Sequence, residues 1–336
     1  MESFAGKLAV VTGGGTGMGR ELVIRLAAEG CSVATCDINE DALATTAEHA
    51  AKAAPGGVRV TTHLCDVADE AQVAAFRDEV TAAHATAHVN LLFNNAGVGG
   101  GGSFVTGSRK EWDRTFAICW GGVYNCTRAF VPLLIAADEA VLVNTSSVNG
   151  FWASLGPGLP HTAYSTAKFA VKGFSEALLE DFRVNAPHVR VALVMPGHIG
   201  TDIVINTREI HGEPSPEEVA HLRTTMIAAG ALSPGAPDDA VHATMRTIAE
   251  NFRDQAPTTP AEAVTIILNG IHTRTWRILV GEDAHTLDTT VRADPLSLYT
   301  ADSASLLSLA GSQVSLAEDP PPRGSTDPDS GAERAD

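Results

Sequence analysis

The chain is short of positive charge: among 336 residues, 23 lysines and arginines face 40 aspartates and glutamates, for a formal net charge of −17. A surface of that sign repels phosphate backbones and anionic headgroups, which argues against nucleic acid or a membrane surface as partner. Cysteine is scarce, at five residues. Cys31, Cys36, Cys65, Cys119 and Cys126 show no Cys-x-x-Cys spacing and are odd in number, so free thiols in a reducing, cytoplasmic compartment are expected. The histidines are scattered, with no cluster of metal-site spacing, and no metal is expected. No apolar run reaches transmembrane length, and the first residues lack the basic and apolar regions of a signal peptide.

What is present is an alternation of short apolar runs with amphipathic stretches. Lys7 to Val11 reads as a β-strand that stops at Thr12-Gly13-Gly14-Gly15-Thr16-Gly17-Met18-Gly19, and Arg20 to Glu29 has helical spacing closed by Gly30. Strand, glycine turn, helix is the context in which a helix start receives a pyrophosphate. A second strand ends in Asp37, 18 residues past Gly19, where a carboxylate accepts ribose hydroxyls and repels a 2′-phosphate. No Arg or Lys follows in Ile38-Asn39-Glu40, so NAD rather than NADP is the expected cofactor. The rhythm continues through a helix over 39–54, strand 58–65, helix 69–83 and strand 89–93. Such alternation predicts an α/β fold, a doubly wound parallel sheet, with Asp37, Asp66 and Asn94-Asn95-Ala96-Gly97 at strand ends on one edge.

Farther on, Tyr164 and Lys168 lie four residues apart in a predicted helix, which places both on one face. A phenol loses its proton near pH ~10, so acid/base work near neutrality needs a depression of roughly three units, about 4 kcal/mol. The Lys168 ammonium and an oxidised nicotinamide ring are the two expected sources of that field.

Thr-Gly-x-x-x-Gly-x-Gly from Thr12, Asp66-Val67, Asn94-Asn95-Ala96-Gly97 and Tyr164-x-x-x-Lys168, in this order, resemble the short-chain dehydrogenase/reductase family in its compact, Rossmann-like single-domain form. The likeness covers roughly the first 200 residues and returns around Arg277 to Asp283. It implies Ser147, Tyr164 and Lys168 as the catalytic set, with Ser147 chosen over Ser146 because it directly precedes a Val-x-Gly turn. It implies that the cofactor is held by Gly13, Thr16, Gly17, Met18, Gly19, Asp37, Asp66, Val67, Asn94, Ala96, Gly97, Tyr164 and Lys168, and by Pro196, Gly197, Ile199 and Thr201 at the nicotinamide. It also implies a homodimer or homotetramer built on the two helices over 110–137 and around Tyr164. In one departure, Cys119 stands where the family carries an asparagine that shapes a kink and a proton relay.

The segment between Ser147 and Tyr164 is longer than the family norm, and Phe151, Trp152 and Leu155 in it are expected to wall an apolar substrate pocket, with His198 lining it. Residues 203–259 fall where the family has a substrate lid, and 301–336, rich in Ser, Ala, Pro and Asp, are expected to be a disordered acidic tail after a single domain over 1–300. The resulting expectation is an NAD-dependent dehydrogenase for a bulky hydrophobic secondary alcohol or its ketone. The alternatives are a carbonyl reductase running the other way and a weakly catalytic NAD-binding regulator.

Overall fold

The structure is a computed structural model that describes residues 1–153, 160–228, 230–296 and 299. Its centre is a parallel sheet of seven strands in the order β3-β2-β1-β4-β5-β6-β7. These are β1 (Leu8–Thr12), β2 (Ser32–Asp37), β3 (Val60–Leu64), β4 (Leu91–Asn94), β5 (Ala140–Thr145), β6 (Val189–Pro196) and β7 (Arg277–Val280). The central strands are continuous apolar runs because both sheet faces are covered. Leu92 packs into the layer formed with Phe76, Phe130 and Leu142, while its neighbours Leu91 and Phe93 pack into the opposite layer with Leu22, Val264 and Ile267. All three are within 1 % of full burial, and each such side chain stabilises the fold by roughly 2 kcal/mol.

One layer holds α1 (Gly17–Ala28), α2 (Glu40–Ala53) and α10 (Pro260–His272); the other holds α3 (Glu70–His84), α5 (Gly122–Ile135) and α6 (Thr162–Asn185). The sheet order reverses between β1 and β4, and the crevice at the carboxyl ends of those strands is where such sheets bind ligands. The helix expected over 110–137 is divided: α4 (Arg109–Phe116) passes through a π-helical turn at Ala117–Gly121 into α5. Tyr124 on α5 and Phe169 on α6, the two helices expected to self-associate, are 44 % and 41 % exposed.

The region expected as a lid contains α7 (Ile203–His211), α8 (Pro216–Ala228) and α9 (Asp238–Asp254), and α11 (Glu282–Ala293) follows β7. The helices at 203–211 and 282–293 were not read from the sequence. Leu155 and the segment 301–336 lie outside the described residues. Among the described residues no helix is long and apolar enough to cross a membrane.

Candidate active site

The crevice is a cavity of about 690 Å³ running from Asp37 and Asp66 at one end to Val98, Ile203 and Ile210 at the other. Its floor is the turn after β1. Gly13 has φ +68°, and a Cβ there would lie 2.8 Å from the Ala96 backbone; at Gly19 a Cβ would lie 1.9 Å from the Gly13 carbonyl. Only glycine permits both approaches. Thr16 caps α1 without spending its side chain on the first-turn N–H groups, which therefore face the cavity with the positive end of the helix dipole. The turn is tied to β4 by Thr12, whose hydroxyl accepts from the N–H groups of Asn95 and Ala96 at 3.0 Å each, and by Asn95, whose amide donates to the Thr12 carbonyl. Asn95 was missed in the sequence, although it lies within the motif that named its neighbours. Asn94 points away from the crevice, donating to Thr127 and Asn144 between the layers, and supports the strands rather than a ligand.

At the first of these ends Asp37 receives the N–H of Gly15 at 2.9 Å and that of Ile38 at 2.8 Å. Glu40 and Asp41 line the same end. Arg20, nearby, donates to the Thr46 hydroxyl and the Gly15 carbonyl. Asp66 pairs with Arg114 at 2.7 Å; Arg114 also lines the cavity, and no sequence signal marked it.

The catalytic candidates lie behind Gly97, which lines the cavity, while Ser147, Tyr164 and Lys168 are not themselves among the lining residues. Ser147, 7 % exposed, follows β5 in extended backbone, its hydroxyl accepting the Asn149 N–H at 3.2 Å beside the Tyr164 phenol, whereas Ser146 turns inward to donate to the Lys168 carbonyl at 2.7 Å. Lys168 is buried, donates to the Thr145 carbonyl at 2.9 Å and stands 5.4 Å from the centre of the Tyr164 ring. A Cβ at Gly97 would meet Lys168 Nζ at 3.6 Å and Cys119 Sγ at 3.8 Å, so the ammonium and the thiol border the same glycine. Burial pushes the Tyr164 phenol well above its ordinary value; the Ser147 hydroxyl is what draws it down, and burial lowers Lys168 as well. The expected depression of Tyr164 by Lys168 is not seen in this structure: desolvation dominates and the Cys119 thiol pushes the phenol further up.

Cys119 lies inside the π-helical turn, fully buried. Its thiol donates to the Val98 carbonyl at 3.1 Å and accepts from the Val98 N–H at 3.5 Å. The kink persists with cysteine in the asparagine position, because the thiol satisfies both polar groups of one backbone residue. Burial raises the thiol pKa, so Cys119 is a packing and clamping group rather than a nucleophile.

Beyond β6, Thr201 faces Gly17 across the cavity, while the Ile199 side chain packs into the core and leaves its backbone to the loop. Two expectations are corrected. Trp152 is only 3 % exposed and packs with Leu287, Val148 and Val291, and Phe151 rests against Arg277, so this pair is held by α11 and β7 instead of walling an open pocket. His198 turns away from the cavity to stack on Phe252 and donate to its carbonyl at 2.7 Å. The apolar wall at that end is formed instead by Val98, Ile118, Ile203 and Ile210. Helix α7 closes over it: Asn206 donates to Thr16 at 3.0 Å, and Thr207 receives the Gly99 N–H at 2.8 Å.

The family model for short chain dehydrogenases matches residues 7–211. The Mycobacterium tuberculosis protein SadH is 33 % identical over 293 residues, which cover 87 % of this chain and 92 % of that protein. The chain belongs to the short-chain dehydrogenase/reductase family. Among solved structures, this dehydrogenase/reductase is similar to a Burkholderia phymatum member in complex with NAD, at TM-score 0.71 and 28 % identity, covering 89 % of this chain and 96 % of the other. It is also similar to a metagenomic short-chain oxidoreductase in complex with NADP, at TM-score 0.51 and 33 % identity over 58 % of this chain and 83 % of the other. The glycine cradle, the open helix start and the Asp37 carboxylate fit a nicotinamide dinucleotide, the cofactor class of the family.

Proposed function

We propose that this oxidoreductase uses NAD to oxidise a hydrophobic secondary alcohol to its ketone. The observation that carries the reading is the meeting of Ser147, Tyr164 and Lys168 beside a cleft whose adenosine end is acidic. Asp37, Glu40 and Asp41 repel a 2′-phosphate, and the cations at that end are already engaged, Arg20 by Thr46 and Gly15 and Arg114 by Asp66. The walls Val98, Ile118, Ile203 and Ile210 favour an apolar substrate body. The five cysteines are all free, in keeping with a reducing cytoplasmic setting.

The nicotinamide, when bound, supplies hydride acceptance and a positive ring. Ser147 orients the substrate hydroxyl by a hydrogen bond. Tyr164 takes the hydroxyl proton as its phenolate, a form that the positive ring would favour once bound. Lys168, anchored on Thr145, holds positive charge below the phenol, and in this reading it also binds the nicotinamide ribose. Catalysis of this kind contributes roughly 10²- to 10⁴-fold. The test is Tyr164→Phe, which removes the proton-exchanging oxygen and keeps the ring. We expect NADH affinity within about twofold of wild type and turnover on a panel of alcohols lower by about 10³-fold. A variant that bound NADH normally and turned over at the wild-type rate would end this mechanism.

A further inference from the structure

β7 ends at Val280, Gly281 turns the chain at φ +98°, and α11 begins at Glu282. This turn lowers the Asp283 side chain, 8 % exposed, between the exits of β6 and β7. Its Oδ2 accepts the backbone N–H of His198 at 2.6 Å, while Oδ1 is buried and has no hydrogen-bond partner. Two glycines make room for the carboxylate. A Cβ at Gly197 would lie 2.1 Å from Oδ2, and one at Gly281 would lie 2.4 Å from Oδ1.

Burying a carboxylate is costly, and burial pushes this carboxyl upward. A group kept at that cost, with glycine on both sides, is held for its geometry. The loop it grips is fixed elsewhere by neutral contacts: Gly197 N–H to the Val280 carbonyl at 2.9 Å, Gly200 N–H to the Thr258 carbonyl at 2.9 Å, and the His198 ring to Phe252. The Asp283 bond is the shortest of these, as expected of an ionised acceptor.

We propose that Asp283 is a positioning residue for the nicotinamide. By holding the His198 N–H it sets the backbone from Pro196 to Thr201, through which Ile199 and Thr201 address the ring. This rests on the dinucleotide reading given above. It is separate from the glycine turn and Asp37, which grip the adenosine half at the far end of the cleft.

The experiment compares two ligands on the full chain by equilibrium binding: NADH, and ADP-ribose, which lacks the nicotinamide. Asp283→Ala raises the NADH dissociation constant about tenfold, the scale of one charge-assisted bond, and leaves that of ADP-ribose unchanged. Asp283→Asn, which keeps an oxygen for the His198 N–H, recovers most of the loss. Gly197→Ala, whose Cβ displaces the carboxylate, reproduces the NADH-selective loss, and adding it to Asp283→Ala costs little more because the obstacle has gone. Equal weakening of both ligands, no weakening of either, or full additivity of the two substitutions would each overturn the inference. A wild-type chain that bound neither ligand would remove the dinucleotide reading itself. A wild-type chain that bound both, with NADH affinity indifferent to residue 283, would remove only this one.

Discussion

Asp37 is held by three backbone N–H groups, from Gly15, Ile38 and Asn39, so its charge is fixed in place before any ligand arrives. That rigidity is what makes one side chain able to choose between two dinucleotides differing by a phosphate. Asp37→Ala removes both the repulsion and the acceptor for ribose hydroxyls. We expect the kcat/KM with NAD to fall roughly tenfold and that with NADP to rise by a similar factor, read in parallel steady-state assays with the two cofactors. An unchanged ratio would mean that the preference is set elsewhere, with Arg114 beside Asp66 the first place to look. At this scale the sequence was most legible where chemistry demands a residue type at a fixed spacing. Gly13, Asp37 and Ser147 sit where they do because each marks a strand exit, and Tyr164 and Lys168 meet because they share one face of α6. Arg114 and Asp283 carried no such mark: each is defined by a partner 48 or 85 positions away, and pairing at that range is invisible to local pattern.

The π-helical turn between α4 and α5 shows how an element can keep its shape while its residue changes. An extra residue in the turn widens the backbone and carries the Cys119 side chain to Val98. Cys119→Ala would leave the Val98 N–H and carbonyl unpaired in a buried place, a cost of about 1–3 kcal/mol. The expected outcome is a lower denaturant midpoint with unchanged slope, largely restored in Cys119→Asn, whose amide again donates and accepts. Equal midpoints for all three proteins would show that the turn holds without this clamp. The periodicity of 110–137 predicted one long helix because the apolar stripe runs through the turn without a break; only hydrogen-bond register distinguishes the two forms. The wall expected of Phe151 and Trp152 failed for a related reason. Apolar side chains after β5 can face the cleft or pack beneath it, and α11, which the sequence did not announce, offers Leu287 and Val291 to pack against.

On the scale of the whole molecule, two histidines couple stability to mildly acid pH. Burial holds His161, stacked on the Tyr164 ring, at about 4. Burial, with Arg59 and His63, holds His84 at about 4 as well. Both fall below the unfolded value of 6.5, so the unfolded chain binds more protons between these limits. The stability they contribute is complete above about 6.5 and is lost as pH falls toward 4. We expect the melting temperature to drop over that window and the slope to flatten in a His84→Gln/His161→Gln protein; a slope unaffected by both substitutions would place the acid sensitivity elsewhere. The α/β alternation was readable because each unit is local, but the arrangement of 203–259 was not, since α7 and the end of α9 take their places from Thr16, Gly99 and the β6 exit.

The strand order has one more consequence. The last-made strand, β7, lies directly beside β6, and the turn after it supplies the carboxylate beneath the loop from Pro196. On the ribosome β1 and β2 are therefore made long before the turn that completes this support. The loop that starts at Pro196 gains that carboxylate only when translation has passed residue 283.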